Sequence, residues 1–172
     1  MKYSLGIDLG TTNSVVAYCA LDAEHPTLEL LPIPQLVAPS TVEARSQLPS
    51  YLYVATDAER AAGQFDLPDA AQREFAVGEA ARRRGAEAPE RTVTSAKSWL
   101  GHTRVDRHAA ILPWNAPADV PKLSPVTASQ RYLEQIVAAW NTTWNAAQTD
   151  APFAEQAVTL TVPASFDASA RE

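Results

Sequence analysis

The chain has 172 residues (18.5 kDa), 46% of them hydrophobic and 20% charged, with a formal net charge of −6 and an isoelectric point of about 5.1. That length suits one domain with a real core, and the acidic balance argues against nucleic acid as the main partner, because phosphate-backbone binding needs a concentrated basic face. A single cysteine, Cys19, excludes an internal disulfide framework and any CxxC site, and His25, His102 and His108 stand in no metal-ligand spacing.

No apolar run is long enough to span a bilayer, so no membrane partner is expected. The opening MKYSLGIDLG lacks an apolar h-region with a small-residue cleavage site, and a cytoplasmic location is expected on that ground. In LGIDLGTTNSVVAY, Leu5, Ile7 and Leu9 alternate with Gly6, Asp8 and Gly10, the period of a strand whose two faces differ. Gly10 permits a tight reversal, and Val15 to Cys19 read as a strand running back, which puts Thr11, Thr12 and Asn13 at a hairpin tip.

TLELLPIPQLV reads as a third strand that Pro32 and Pro34 confine to an edge or to their own position at its end, and LPSYLYVAT as another. Between Asp57 and Glu74 the polar, Ala-rich sequence predicts a surface insertion with some helix. FAVGEAARRRG predicts a short helix closed by Gly85, with Arg82, Arg83 and Arg84 as its solvated, cationic end. TVTSAKSWLG carries Val93, Ala96 and Leu100 at helical spacing, a threonine for the N-cap and Gly101 to end it.

HAAILPWNAPADVPKLSP, broken by four prolines, predicts an extended connection with Trp114 tucked against the body. Thr127 and Gln130 form a T-x-x-Q capping box ahead of Leu133, Ile136, Val137, Trp140 and Trp144, which share one face of a long amphipathic helix. Arg131, Glu134, Gln135 and Asn141 fall largely off that face. Val158, Leu160 and Val162 then alternate with Thr159 and Thr161 in a strand stopped by Pro163, and Asp167 is placed to cap a helix that begins as the sequence stops. On that capping logic the sequence is expected to be the N-terminal part of a longer protein.

A tip of the form Asp-x-Gly-Thr-Thr-Asn has chemistry to offer. With no side chain at Gly10, the N–H groups of Thr11, Thr12 and Asn13 can converge on an anion, and two hydroxyls add donors. Asp8 beside a phosphate is repulsive unless a cation intervenes, and magnesium held through water is the natural mediator. The same residues can also do no more than stabilise a turn. Neither GxxxxGK[ST] nor GxGxxG occurs.

GIDLGTTNSVVAY resembles the first phosphate motif of the heat-shock 70-kDa (DnaK-type) chaperone family, within the actin, hexokinase and chaperone ATPase superfamily. AVGEAARRRGAEAPERTVTSAKSWLG resembles that family's segment ending in an Ala-x-Lys-x-x-x-Gly helix, and AVTLTVPASFDASARE its Thr-Val-Pro-Ala-x-Phe strand and following helix. Three motifs in the family's order span almost the whole chain.

The resemblance implies an α/β fold of the ribonuclease-H-like ATPase type: an incomplete first lobe with a mixed sheet flanked by helices, an inner sublobe from 1–44 and 125–172 and an outer one from 45–124. It implies ATP or ADP with magnesium as ligands. Asp8 would be the magnesium carboxylate, through water, and Gly10, Thr11, Thr12 and Asn13 the phosphate loop. Lys97, which alone reads as a solvent-facing helix lysine, would reach the γ-phosphate and the attacking water. Pro163 and Arg171 match the relay between nucleotide state and client binding. In the full-length protein ATP hydrolysis would switch affinity for client polypeptide, with a J-domain co-chaperone and a nucleotide exchange factor as partners.

The second phosphate motif, the adenosine site and the client-binding domain would lie beyond Glu172. The isolated chain is therefore expected to bind ATP very weakly and turn it over negligibly. Ser98, Trp99, His102 and Ser165 depart from the family's usual residues, which marks a divergent member. A sugar or glycerol kinase of the superfamily, or an actin-like nucleotide switch without catalysis, shares the hairpin but not AKSWLG and TVPASF.

Overall fold

The computed structural model describes residues 1–67, 71–162 and 166. The chain is a mixed α/β protein. Its main sheet begins with the antiparallel hairpin of β1 (Tyr3–Leu9) and β2 (Asn13–Ala20), in register with Leu9 opposite Ser14. Leu5, Ile7 and Leu9 are buried and Gly6 and Asp8 exposed, so the alternation in sequence is the alternation in space. The apolar run from Thr27 to Val37 is split rather than continuous. Its first part, β3 (Glu29–Leu30), pairs with β2; its second, β4 (Ile33–Ala38), leaves to form a separate two-stranded ribbon with β5 (Thr41–Arg45). Pro34 lies in that ribbon, where β4 has a single strand partner and a missing N–H disturbs little.

The chain touches the main sheet again through β6 (Leu48–Pro49) on β2 and then enters a three-stranded sheet, ordered β8 (Phe75–Val77), β7 (Tyr51–Val54), β9 (Thr92–Thr94). FAVGEAARRRG is thus a strand and a helix, not one helix. The break is Gly78, at φ 83°, where a Cβ would meet Gln35 Oε1 at 2.6 Å and Leu48 Cδ1 at 2.7 Å. The following α2 (Glu79–Glu87) runs through Gly85 instead of ending there. Gly85 is a contact residue, since a Cβ would lie 2.9 Å from the Thr92 methyl.

TVTSAKSWLG likewise divides into β9 and α3 (Ala96–Leu100), so Val93 is a strand residue. No threonine caps α3. Ser95 holds the N-cap position at φ 55°, without a capping side-chain bond. In 57–74 the short α1 (Asp57–Ala61) carries a full capping box between Thr56 and Glu59.

The long helix is α4 (Pro125–Ala146). Its cap is Ser124, whose Oγ accepts the Thr127 N–H at 3.0 Å, with Pro125 in the first turn; Gln130 pairs with Glu134 instead of closing a box with Thr127. Ile136 and Trp140 are fully buried against Leu5, Ile7, Val16 and Tyr18 of the sheet, with Leu133 and Trp144 partly buried beside them. Gln135 also turns inward, donating to the Pro34 carbonyl at 3.0 Å and accepting from Arg73 at 3.4 Å, which satisfies an amide that periodicity alone assigns to the surface.

β10 (Ala157–Thr161) returns parallel to β1, Asp8 opposite Thr161. As the edge of the sheet it stays open on both faces: Val158, Leu160 and Val162 are 42%, 41% and 38% exposed, and the threonines between them are exposed too. Trp114 is not tucked in; it is 53% exposed and stacks on Trp99 with ring centroids 4.9 Å apart. Among the described residues no helix is long and apolar enough to cross a membrane.

The Arg82–Arg84 cluster is engaged rather than only solvated. Arg82 and Arg83 bind the buried Glu79 carboxylate at 2.8–3.0 Å, and Arg84 binds Glu59 beneath the Tyr53 ring. Hydrogen bonds from Arg82, opposed by burial and reinforced by Arg83, hold Glu79 below the ordinary glutamate range. Burial pushes Glu59 up, but hydrogen bonds from Thr56, Tyr53 and Arg84 outweigh it and leave that carboxyl lowered as well.

A carboxyl lowered in the folded state stabilises the protein above its unfolded pKa, about 4.3 for glutamate, and that contribution disappears as pH falls through the folded value. Urea midpoints should therefore be flat near neutrality and fall below about pH 4.3. Glu59→Gln should flatten that fall and cost about 1.5–3 kcal/mol at pH 7, the scale of hydrogen bonds to a charged group.

Candidate functional site

The tip of the first hairpin is built by a close backbone approach. A Cβ on Gly10 would lie 2.0 Å from the Asn13 carbonyl oxygen, so only glycine fits the reversal. Thr11 and Thr12 are exposed and Asn13 is half-buried. The Thr11 and Thr12 side chains thus face solvent, while Asn13, expected at the tip, is already the first residue of β2.

Asp8 stands one strand position before Leu9, on the exposed face of β1 with 66% of its side chain accessible. Its Oδ1 accepts the Thr161 hydroxyl from β10 at 2.9 Å, a cross-strand pair created by the parallel register. Lys97 Nζ lies 4.0 Å from the same oxygen. Lys97 comes from α3, which packs on α4 through the fully buried Ala96, and its side chain is only 13% exposed. A solvent-facing helix lysine is therefore not what the fold makes of it: the stem is covered and the amine is delivered to Asp8.

Two cavities adjoin these residues. One, of about 700 Å³, is lined by Thr12, Asn13, Arg45, Tyr51, Glu79 and Arg82. Another, of about 600 Å³, is lined by Leu9, Lys97, Arg107, Ser129, Gln130 and Thr161 among others. An anion in the first cavity would meet hairpin donors beside the Arg45 and Arg82 guanidiniums; one in the second would meet Lys97 and Arg107. Either set suits a phosphate.

Among the described residues no group of three or more His, Cys, Asp or Glu side chains converges to cage a metal. Asp8 is a lone, accessible carboxylate, and magnesium is commonly held by one or two carboxylates, its own waters and the phosphates of a substrate. The donor set fits a hydrated magnesium ion carried in with a phosphate ligand.

Of the residues singled out in the sequence, Asp8 and Lys97 meet at 4.0 Å two positions before Gly10, while Thr12 and Asn13 line a different cavity from Lys97. Pro163, Arg171 and the cap residue Asp167 lie outside the described residues. Sequence reasoning missed Ser50 and Gln35. Ser50 binds the tip backbone, and Gln35 spans Gln47 and Glu79, donating to the Gln47 carbonyl at 2.7 Å and accepting the Glu79 N–H at 3.2 Å. The one signal either residue gave was an uncharged polar side chain within an apolar stretch, PSYLYV and PQLVA. No family model matches the chain.

Proposed function

We propose that the chain is the opening part of the nucleotide-binding domain of a DnaK-type ATP-dependent chaperone, with the ribonuclease-H-like ATPase fold shared by actin and hexokinase. The observation that carries the reading is the meeting of Lys97 and Asp8 beside the glycine tip, from two elements far apart in sequence, with Lys97 largely covered. An ion pair worth little to stability does not by itself call for a covered lysine stem meeting a carboxylate two residues before a turn that only glycine fits. A phosphate site does.

In this reading the tip N–H groups and the Thr11 and Thr12 hydroxyls would bind and orient the phosphate chain, and Asp8 would hold the accompanying magnesium ion through water. Magnesium, when bound, neutralises phosphate oxygens and lets the carboxylate and the phosphates share one space. Lys97 would exchange Asp8 for the terminal phosphate, where a cation would offset developing charge and orient the attacking water. In the full-length protein the hydrolysis step would drive client binding and release.

An open, exposed tip makes few contacts, so affinity for Mg·ATP should be on the order of millimolar, about −4 kcal/mol. The test is ³¹P spectroscopy of ATP titrated with the chain. The γ-phosphorus signal should shift in a magnesium-dependent way. Lys97→Ala should weaken binding about tenfold, and Asp8→Asn should remove the magnesium dependence. Wild-type behaviour in both variants would contradict the proposal.

A further inference from the structure

One residue outside the hairpin holds its tip. Ser50, 1% exposed, sits between β6 and β7, where the chain passes from the main sheet to the three-stranded one. Its hydroxyl donates to the Gly10 carbonyl at 2.7 Å, and its N–H donates to the Thr12 carbonyl at 2.8 Å. A serine hydroxyl has one proton. With that proton on Gly10, the fully buried Ser14 hydroxyl, 3.1 Å away, is the donor to Ser50 Oγ. The Ser50 carbonyl accepts the Tyr132 hydroxyl of α4 at 3.2 Å, so every polar atom of Ser50 is used: two bonds hold the tip, and the other two tie it to β2 and α4.

The consequence follows from peptide geometry. In a trans peptide the carbonyl of one residue and the N–H of the next point in opposite directions. Turning the Gly10 and Thr12 carbonyls onto Ser50 turns the Thr11 and Asn13 N–H groups away from it. The buried serine therefore decides where two of the tip's amides point.

We infer that Ser50 is the positioning residue of the tip: its hydroxyl aims the Thr11 amide and its N–H aims the Asn13 amide for binding a phosphate. This rests on the phosphate reading above and adds to it a division of labour between two atoms of one side chain and backbone. Ser50→Ala deletes the hydroxyl and keeps the N–H. The variant should release the Thr11 amide and leave the Asn13 amide in place, a split that general loosening of the fold would not produce.

The experiment is a titration of the ¹⁵N-labelled chain with magnesium and inorganic triphosphate, followed at individual amides. In the wild type both Thr11 and Asn13 should shift. In Ser50→Ala the Thr11 response should be lost, the Asn13 response kept, and affinity lowered about tenfold, the scale of one hydrogen bond to a charged group. If alanine unfolds the chain, Ser50→Cys keeps the shape with a much weaker donor and should show a diminished Thr11 response alone.

A wild type in which neither amide responds would sink the phosphate reading and this inference with it. A wild type that responds, with Ser50→Ala or Ser50→Cys responding identically or losing both amides together, would overturn the inference alone.

Discussion

Trp140→Ala is expected to lower the unfolding free energy by about 3–5 kcal/mol, the range for removing a large buried aromatic side chain and leaving a cavity. Trp140 has no exposed surface and makes edge contacts with Tyr3, Tyr18 and Trp144 at centroid distances of 5.5, 5.4 and 5.0 Å. It joins α4 to both strands of the first hairpin, so its loss loosens the scaffold of the tip as well as the helix. Its indole N–H donates to the Ala151 carbonyl at 2.8 Å, and Trp140→Phe, which leaves that acceptor unpaired, should itself be destabilising.

The neighbouring Trp144 is the internal comparison. Among the described residues its buried indole N–H has no hydrogen-bond partner, so Trp144→Phe removes an unsatisfied donor and should cost far less than Trp140→Phe. Urea denaturation of the variants measures the difference. Equal losses for the two phenylalanine variants would contradict the assignment of Trp140 as the hydrogen-bonded keystone.

Gly10→Ala is expected to be the most damaging small change at the site. The added methyl would stand 2.0 Å from the Asn13 carbonyl oxygen, a backbone atom that cannot swing aside, so the tip must rearrange. A stability loss of about 1–3 kcal/mol is expected, the scale of forced backbone shifts, together with loss of the phosphate response. Gly6→Ala, on the exposed face of β1 with no described atom within 4 Å of the added carbon, should be neutral or stabilising by up to about 1 kcal/mol through the unfolded chain. Thermal melts and ATP titrations of both variants separate a local steric requirement from a general dislike of side chains in β1. Equal tolerance at the two positions would contradict it.

The hairpin and the long helix were legible in the sequence because their periodicity is local. Leu5, Ile7 and Leu9 alternate, and Ile136 and Trp140 lie one helical turn apart, so each pattern declares its buried face without reference to the rest of the chain. Short elements were not legible. Phe75–Val77 and Thr92–Thr94 are three-residue strands, too short to show a period of two, and each was absorbed into the helix that follows it. They are strands because β7 lies between them, a fact held in tertiary pairing and not in local propensity.

Caps are hidden in the same way. Thr127 looked like a cap because Gln130 follows three residues on, yet Ser124 wins with Pro125 pre-set for the first turn. At the site, Asp8 and the glycine tip could be named from chemistry alone, because a carboxylate in an apolar strand and a glycine before two threonines are locally odd. The covering of Lys97 could not, since it depends on α3 packing against α4. The role of Ser50 is not legible for a related reason: its partners Gly10, Thr12 and Tyr132 are far from it in sequence, and a serine after a proline is ordinary turn chemistry.

The most direct measurement of the central claim is a map of backbone amide shifts on adding Mg·ATP to the intact chain, repeated with Lys97→Ala. The largest saturable changes should fall at Thr11, Thr12, Asn13 and Lys97, should need magnesium, and should shrink in the variant. Changes centred elsewhere, for instance at the Trp99 and Trp114 stack, or a tip response indifferent to both magnesium and Lys97, would show that this hairpin is a structural turn and not a phosphate site.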